Sequence, residues 1–101
     1  MKLALPLKLE SYIVDVLLRD LVGHDRSPAA FLVYLSLYAM SYGAGKRNAQ
    51  ISLKQLSERT GLSKSAVQAG PRILLRRQLV RAHHATRTAV PDYFVQRPWA
   101  R

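Results

Sequence analysis

Residues 51–80 read ISLKQLSERTGLSKSAVQAGPRILLRRQLV, and this stretch decides how the rest of the chain is understood. Ser52 stands before an apolar-periodic run with Gln55 three residues on. That is a capping box, in which each side chain satisfies the other residue's backbone N–H. Gly61 suits a helix C-terminus that must enter the left-handed region, because glycine has no Cβ to clash there. Ser63 is placed to cap a second, longer helix carrying Lys64, Ser65, Gln68, Arg72 and Arg76. The pattern predicts two capped helices joined by a tight turn at Thr60-Gly61-Leu62-Ser63.

On the second helix, Val67, Leu74 and either Ile73 or Leu75 recur at the spacing of a core-facing stripe. Lys64, Gln68, Arg72 and Arg76 are four residues apart throughout, which aligns them on one exposed face without a single acid among them. Gly70-Pro71 is the discordant pair. Proline inside a helix removes one backbone hydrogen bond and crowds the preceding turn, at about 3 kcal/mol. A kink or interruption is therefore expected near Val67 to Gly70.

Outward from this stretch, Ser11 to Val22 predicts a helix with Ser11, Asp15 and Arg19 on a polar stripe and an apolar arc wider than one packing face needs. Gly23 is expected to end it. Ser27-Pro28 restarts a helix, serine as N-cap and proline in the first turn. From Pro28 to Tyr42 the chain carries no charge, so this helix belongs either at the centre of the domain or against a partner. Gly43 and Gly45 stop it, and Lys46-Arg47-Asn48 forms a basic loop. Gln50-Ile51 is a candidate short strand. Leu79 to Ala85 and Ala89 to Gln96 predict two strands of a hairpin with its tip at His84 to Thr88, Pro91 being tolerated at an edge. Met1 to Leu9 reads as an extended arm, and Trp99 in the C-terminal tail as a clamp onto the core. The fold class is mainly α with a small β-wing: an N-terminal helix, three core helices, a short strand and a two-stranded hairpin, all in one domain spanning 1–101.

Charge separates the chain into two parts. Residues 1–45 hold Lys2, Lys8, Arg19 and Arg26 against Glu10, Asp15, Asp20 and Asp25, and are neutral. Residues 46–101 hold twelve basic side chains against Glu58 and Asp92, so the whole net charge of +10 falls in the half containing the helix pair. A polyanion, nucleic acid first of all, is the partner this predicts. There is no cysteine, hence no disulfide or thiolate metal site. His83 and His84 would point to opposite faces of a strand, with no acid cluster beside them, so no metal site and no cofactor is expected. No phosphate loop, nucleophile elbow or paired carboxylates appear, and the chain does not read as an enzyme. Neither a signal peptide nor a membrane span is recognisable, which makes a cytoplasmic location the expectation.

The order helix, short strand, helix, turn, helix, hairpin resembles the winged helix-turn-helix superfamily. The likeness is carried by Ile51-Ser52-Leu53, by Gln55 through Val67, and by Leu79-Val80. With Tyr12-Ile13-Val14-Asp15 and Ser41-Tyr42-Gly43 added, the chain is also similar to the N-terminal domain of phage replication O proteins and to small bacterial helix-turn-helix regulators. The resemblance implies binding of double-stranded DNA with the second helix of the pair in the major groove, often as a homodimer. Gln78 stands where that superfamily usually has glycine, so its φ would be strained if the left-handed cap is kept. On this reading Ser65, Gln68 and Arg72 meet base edges, with adenine and guanine the natural partners of Gln68 and Arg72. Lys64 and Arg76 meet phosphate, Lys54 and Arg59 lie on the helix that crosses the backbone, and Arg81 and Arg87 belong to the wing. The expectation is sequence-specific DNA binding in transcriptional regulation. The alternatives are a phage- or plasmid-type replication initiator, or a protein-interaction module of the same fold without DNA binding.

Overall fold

Ser27 and Pro28 begin the helix around which the other elements pack. In the computed structural model, which describes residues 6–100, the Ser27 Oγ accepts from the Ala30 N–H at 3.1 Å. Pro28 occupies the first turn, where its missing N–H costs nothing. We label the helical segment 11–24 α1 and Pro28–Met40 α2. Ala30, Phe31, Val33, Tyr34, Leu37 and Tyr38 of α2 are all buried by the chain itself, which settles where a chargeless helix goes: it is the centre of the domain. It ends at Met40, two residues short of the expected Tyr42, and a 3-10 turn over Tyr42–Ala44 follows, closed by Gly45 at φ 72°.

Helix α1 packs Ile13, Leu17 and Leu21 into the core. It runs through Gly23 to His24 rather than stopping at the glycine. Its turns at Ile13–Leu17 and Asp20–His24 are π-helical, with the Leu18 N–H donating to the Ile13 carbonyl and the Asp25 N–H to that of Asp20. Of the expected arm Met1 to Leu9, residues 1–5 lie outside the described part, and 6–10 form no helix or strand.

Beyond α2 come β1 (Asn48–Gln50), α3 (Leu53–Thr60), α4 (Lys64–Arg76), β2 (Val80–His83) and β3 (Asp92–Val95). Strands β2 and β3 are shorter than the sequence suggested, β1 covers Asn48–Gln50 in place of Gln50-Ile51, and the three join in one antiparallel sheet of order β1-β3-β2. Val80 faces Val95 and His83 faces Asp92 across one edge of β3, while Asn48 faces Phe94 and Gln50 faces Asp92 across the other. The last strand is therefore central, not an edge. Pro91 escapes the resulting demand for a donor by sitting just before β3, where its carbonyl accepts from the Ile51 N–H at 3.2 Å. Alternation along the strands puts Ala49, Val80, Tyr93 and Val95 under the sheet against the helices.

The C-terminal tail closes the domain. Trp99 stacks on Tyr12 with centroids 4.6 Å apart, and its indole N–H donates to Glu10 at 2.6 Å. Arg97 pairs with the same carboxylate and lies 4.4 Å over the Tyr42 ring. Tyr34 and Tyr42 donate their hydroxyls to the Gln96 and Val95 carbonyls at 2.9 and 3.1 Å. The indole and the guanidinium hold the Glu10 carboxyl below its ordinary range, and burial raises the Tyr34 hydroxyl. The expected clamp is thus present, with Glu10 as its anchor on the N-terminal side.

Candidate nucleic-acid interface

The helix pair is fixed by its own polar side chains. Ser52 Oγ accepts from the Gln55 N–H at 3.1 Å, and Gln55 Oε1 accepts from the Ser52 N–H at 3.0 Å, completing the box. Gly61 takes the left-handed conformation at φ 77°. Ser57 Oγ donates to the Leu62 carbonyl at 2.6 Å, and Thr60 Oγ1 accepts from the Leu62 N–H at 3.2 Å. Ser63 Oγ then accepts from the Ala66 N–H at 3.3 Å and starts α4. Each cap of this kind contributes about 1 kcal/mol. Together they fix the turn between α3 and α4 through bonds within a few residues, while Leu56 and Val67 seat the two helices in the core.

Helix α4 is not interrupted at Gly70-Pro71. It is helical from Lys64 to Arg76, and both residues of the pair are buried. The reason lies on α2. A Cβ placed on Gly70 would come within 2.8 Å of Val33 Cγ2 and 3.3 Å of the Ala29 carbonyl oxygen. Glycine lets the two helices cross at contact, and Pro71, Val67 and Leu74 fill the same side. Burying this apolar stripe offsets the hydrogen bond that proline forfeits at the Val67 carbonyl. Of the two alternatives for the third member of the stripe, Ile73 is the half-buried one and Leu75 is 42% exposed.

At its far end α4 finishes in a Schellman arrangement. Gln78 is left-handed at φ 58°, the Gln78 N–H donates to the Leu75 carbonyl at 3.1 Å, and the Leu79 N–H donates to that of Leu74 at 2.9 Å. The strain expected at Gln78 is real. A second non-glycine residue with positive φ, Arg26 at 52° between α1 and α2, carried no signal in the sequence.

With α4 continuous, the sequence-derived residues can be placed. Lys64, Ser65, Arg72 and Arg76 are exposed and Gln68 is half-buried. An i, i+4 series does not stay on one line, because 3.6 residues make a turn. It advances about 40° at each step. Lys64 and Gln68 consequently lie toward α3, where they line a groove of about 360 Å³ with Leu53, Lys54, Ser57 and Glu58. Arg72 and Arg76 have rotated to the face opposite the core, beside Ser65 and Ala69. Arg81 is on the outer face of β2 and Arg87 in the exposed loop between β2 and β3. Glu58, counted in the sequence only as one of two acids in the basic half, lies inside this groove beside Lys54 and Lys64.

None of Lys54, Lys64, Arg72, Arg76, Arg81 and Arg87 has an ion-pair or side-chain hydrogen-bond partner among the described residues. Three other arginines do. Arg59 donates to Ser36 Oγ on α2 at 2.8 Å, so it tethers α3 to the core. Arg77 bonds Asp25 at 2.7 Å, and Arg97 pairs with Glu10. The folded chain thus sorts its cations into those that hold elements together and those left facing solvent. Among the described residues, no group of three or more metal-ligating side chains comes together, and no helix is long and apolar enough to cross a membrane. No family model, curated protein or solved structure matches this chain.

Proposed function

We propose that this chain is a winged helix-turn-helix domain that binds double-stranded DNA, with α4 in the major groove and the β2–β3 loop as the wing. The observation that carries the reading is the continuous, doubly capped α4, which bears Lys64, Ser65, Gln68, Arg72 and Arg76 and whose three cations Lys64, Arg72 and Arg76 have no side-chain partner among the described residues. A helix of this length fits the major groove, and cations with no partner in the protein are available to phosphate or base edges. Lys54 and Lys64, on the two sides of the α3–α4 groove, suit the backbone of one strand. The amide of Gln68 and the guanidinium of Arg72 are the groups that can pair bidentately with adenine and guanine. Regulation of transcription is the role we assign, since sequence reading by a small domain is its usual requirement; initiation of replication uses the same interface.

Binding to duplex DNA as a function of salt tests this directly. Neutralising roughly six phosphates gives a log–log slope of about −5. Absence of binding at about 50 mM salt would refute the proposal. Arg72→Ala should flatten discrimination among sequences, whereas Lys64→Ala should weaken all sequences alike.

A homodimer belongs to the same reading, though not through α2, which is occupied by its own chain. The available face is on α1, where Val14, Leu18 and Val22 recur every four residues and are 48%, 38% and 37% exposed. A two-fold contact needs a self-complementary patch, which one apolar stripe provides. Sedimentation should then report twice 11.4 kDa, and Leu18→Lys should return the monomer.

A further inference from the structure

The outer face of the sheet carries an exposed aromatic that the α4 interface does not use. Phe94 lies on the central strand, is 37% exposed, and points away from the helices. Arg81 faces it across β2 and Asn48 across β1. An aromatic ring in the middle of a sheet face is a costly surface to leave to water, and it is the arrangement on which unpaired bases stack. Two open clefts border this region. One, of about 440 Å³, is lined by Tyr42, Arg47, Phe94, Gln96, Arg97 and Ala100. The other, of about 500 Å³, runs past Gln78, Arg81, Ala82 and Pro98 and shares Gln96 and Arg97 with the first.

The charges around the ring favour a phosphate backbone. Arg47 and Arg81 are exposed and have no partner among the described residues. Arg97 is already committed to Glu10 and to the Tyr42 ring, so it forms a fixed floor between the clefts rather than a mobile contact. The acid on this face, Asp92, is two residues back along β3 and is held by both hydrogen bonds of the Asn48 amide, at 2.9 and 3.0 Å. A protein or lipid partner would need more apolar surface than one phenyl ring supplies. A single strand needs one ring per base and a cation on either side.

We infer that the outer sheet face is a second nucleic-acid site, on which Phe94 stacks an unpaired base of single-stranded DNA while Arg47 and Arg81 meet the flanking phosphates. This site is separate from α4 and does not rest on the duplex reading. Stacking on an aromatic contributes enough that its removal lowers single-strand affinity by about fivefold or more. The test is fluorescence anisotropy with a labelled oligothymidylate of about twelve nucleotides at about 50 mM salt, beside a mixed-sequence duplex.

Phe94→Leu, which keeps an apolar side chain but has no π-face, should weaken the oligothymidylate by that factor and leave the duplex unaffected. Phe94→Trp should bind the single strand at least as well as the original. Arg47→Ala, in the loop before β1, gives an independent reading: single-strand binding should weaken and its salt slope fall by about 0.7. If Phe94→Leu and Arg47→Ala both bind oligothymidylate as the unaltered chain does, or if the unaltered chain does not bind it, the inference is overturned. Weaker duplex binding in Lys64→Ala with single-strand binding unchanged would support two separate sites, and failure of the unaltered chain on duplex alone would remove the α4 reading while leaving this one standing.

Discussion

Arg76 and Arg77 are neighbours in the chain and opposites in the fold. Arg76 ends α4 on the solvent side, with no partner among the described residues. Arg77, the next residue, turns back across the molecule and donates to Asp25 at 2.7 Å, with Asp20 at 3.7 Å. The Asp25 side chain is 7% exposed and shares one carboxylate oxygen between Arg77 and His24, while its other oxygen has no hydrogen-bond partner among the described residues. The basic half of the chain therefore uses one arginine to neutralise a buried acid of the N-terminal half and leaves its neighbour free. Net charge alone does not say which cations are available to a polyanion. The positions of the few acids do.

This contrast can be broken most severely at Arg77. Arg77→Ala leaves the Asp25 carboxylate buried with only His24 beside it, and stability measured by urea unfolding should fall by about 2–3 kcal/mol. Loss of less than about 0.5 kcal/mol would mean that the ion pair is not structural. Gly70→Ala comes next. Its Cβ would press on Val33 Cγ2, and the change should cost about 1–3 kcal/mol, with much of it recovered by adding Val33→Ala. Failure of that second change to rescue would place the strain elsewhere.

Arg76→Ala sharpens the comparison from the other side. Stability should move by no more than about 0.5 kcal/mol, while the salt slope for duplex binding should become shallower by about one. A stability loss matching that of Arg77→Ala would contradict the division of labour. The smallest effect concerns the tail. Glu10 is held below its ordinary pKa by the Trp99 indole and Arg97, so its contribution is present above the unfolded value near 4.5 and is lost as pH falls through the lower folded one. Trp99 is the one tryptophan in the chain, and its fluorescence should change in that acid window and not between neutrality and pH 6. Glu10→Gln should abolish the acid transition.

Much of the helix pair was legible because its determinants are local. Ser52 with Gln55, Gly61, and Ser63 each act on backbone groups within a few residues, and the structure has all of them in the expected roles. The same holds for Ser27-Pro28 and, less comfortably, for the strained cap at Gln78. The interruption expected at Gly70-Pro71 is absent for the complementary reason. Judged along its own helix it is a breaker; judged against Val33 and Ala29 it is what permits α2 and α4 to touch. The centrality of β3, and with it the exposure of Phe94 between Arg81 and Asn48, depends on which strands meet, and no short window of sequence contains that.

By itself, then, the sequence determined the caps, the turn and the apolar periodicities, because those follow from interactions between residues at most four or five apart, and the segregation of charge, because that is composition alone. Only the tertiary structure decided that α4 runs unbroken, that Lys64 and Gln68 share a groove with Lys54, and that Arg77 and Arg97 are taken by Asp25 and Glu10 while Arg72 and Arg76 are not. Asp25 and Arg77 are 52 residues apart, and Glu10 and Arg97 are 87. Pairing over such distances is set by how the helices pack, and packing is a property of the whole core rather than of any stretch within it.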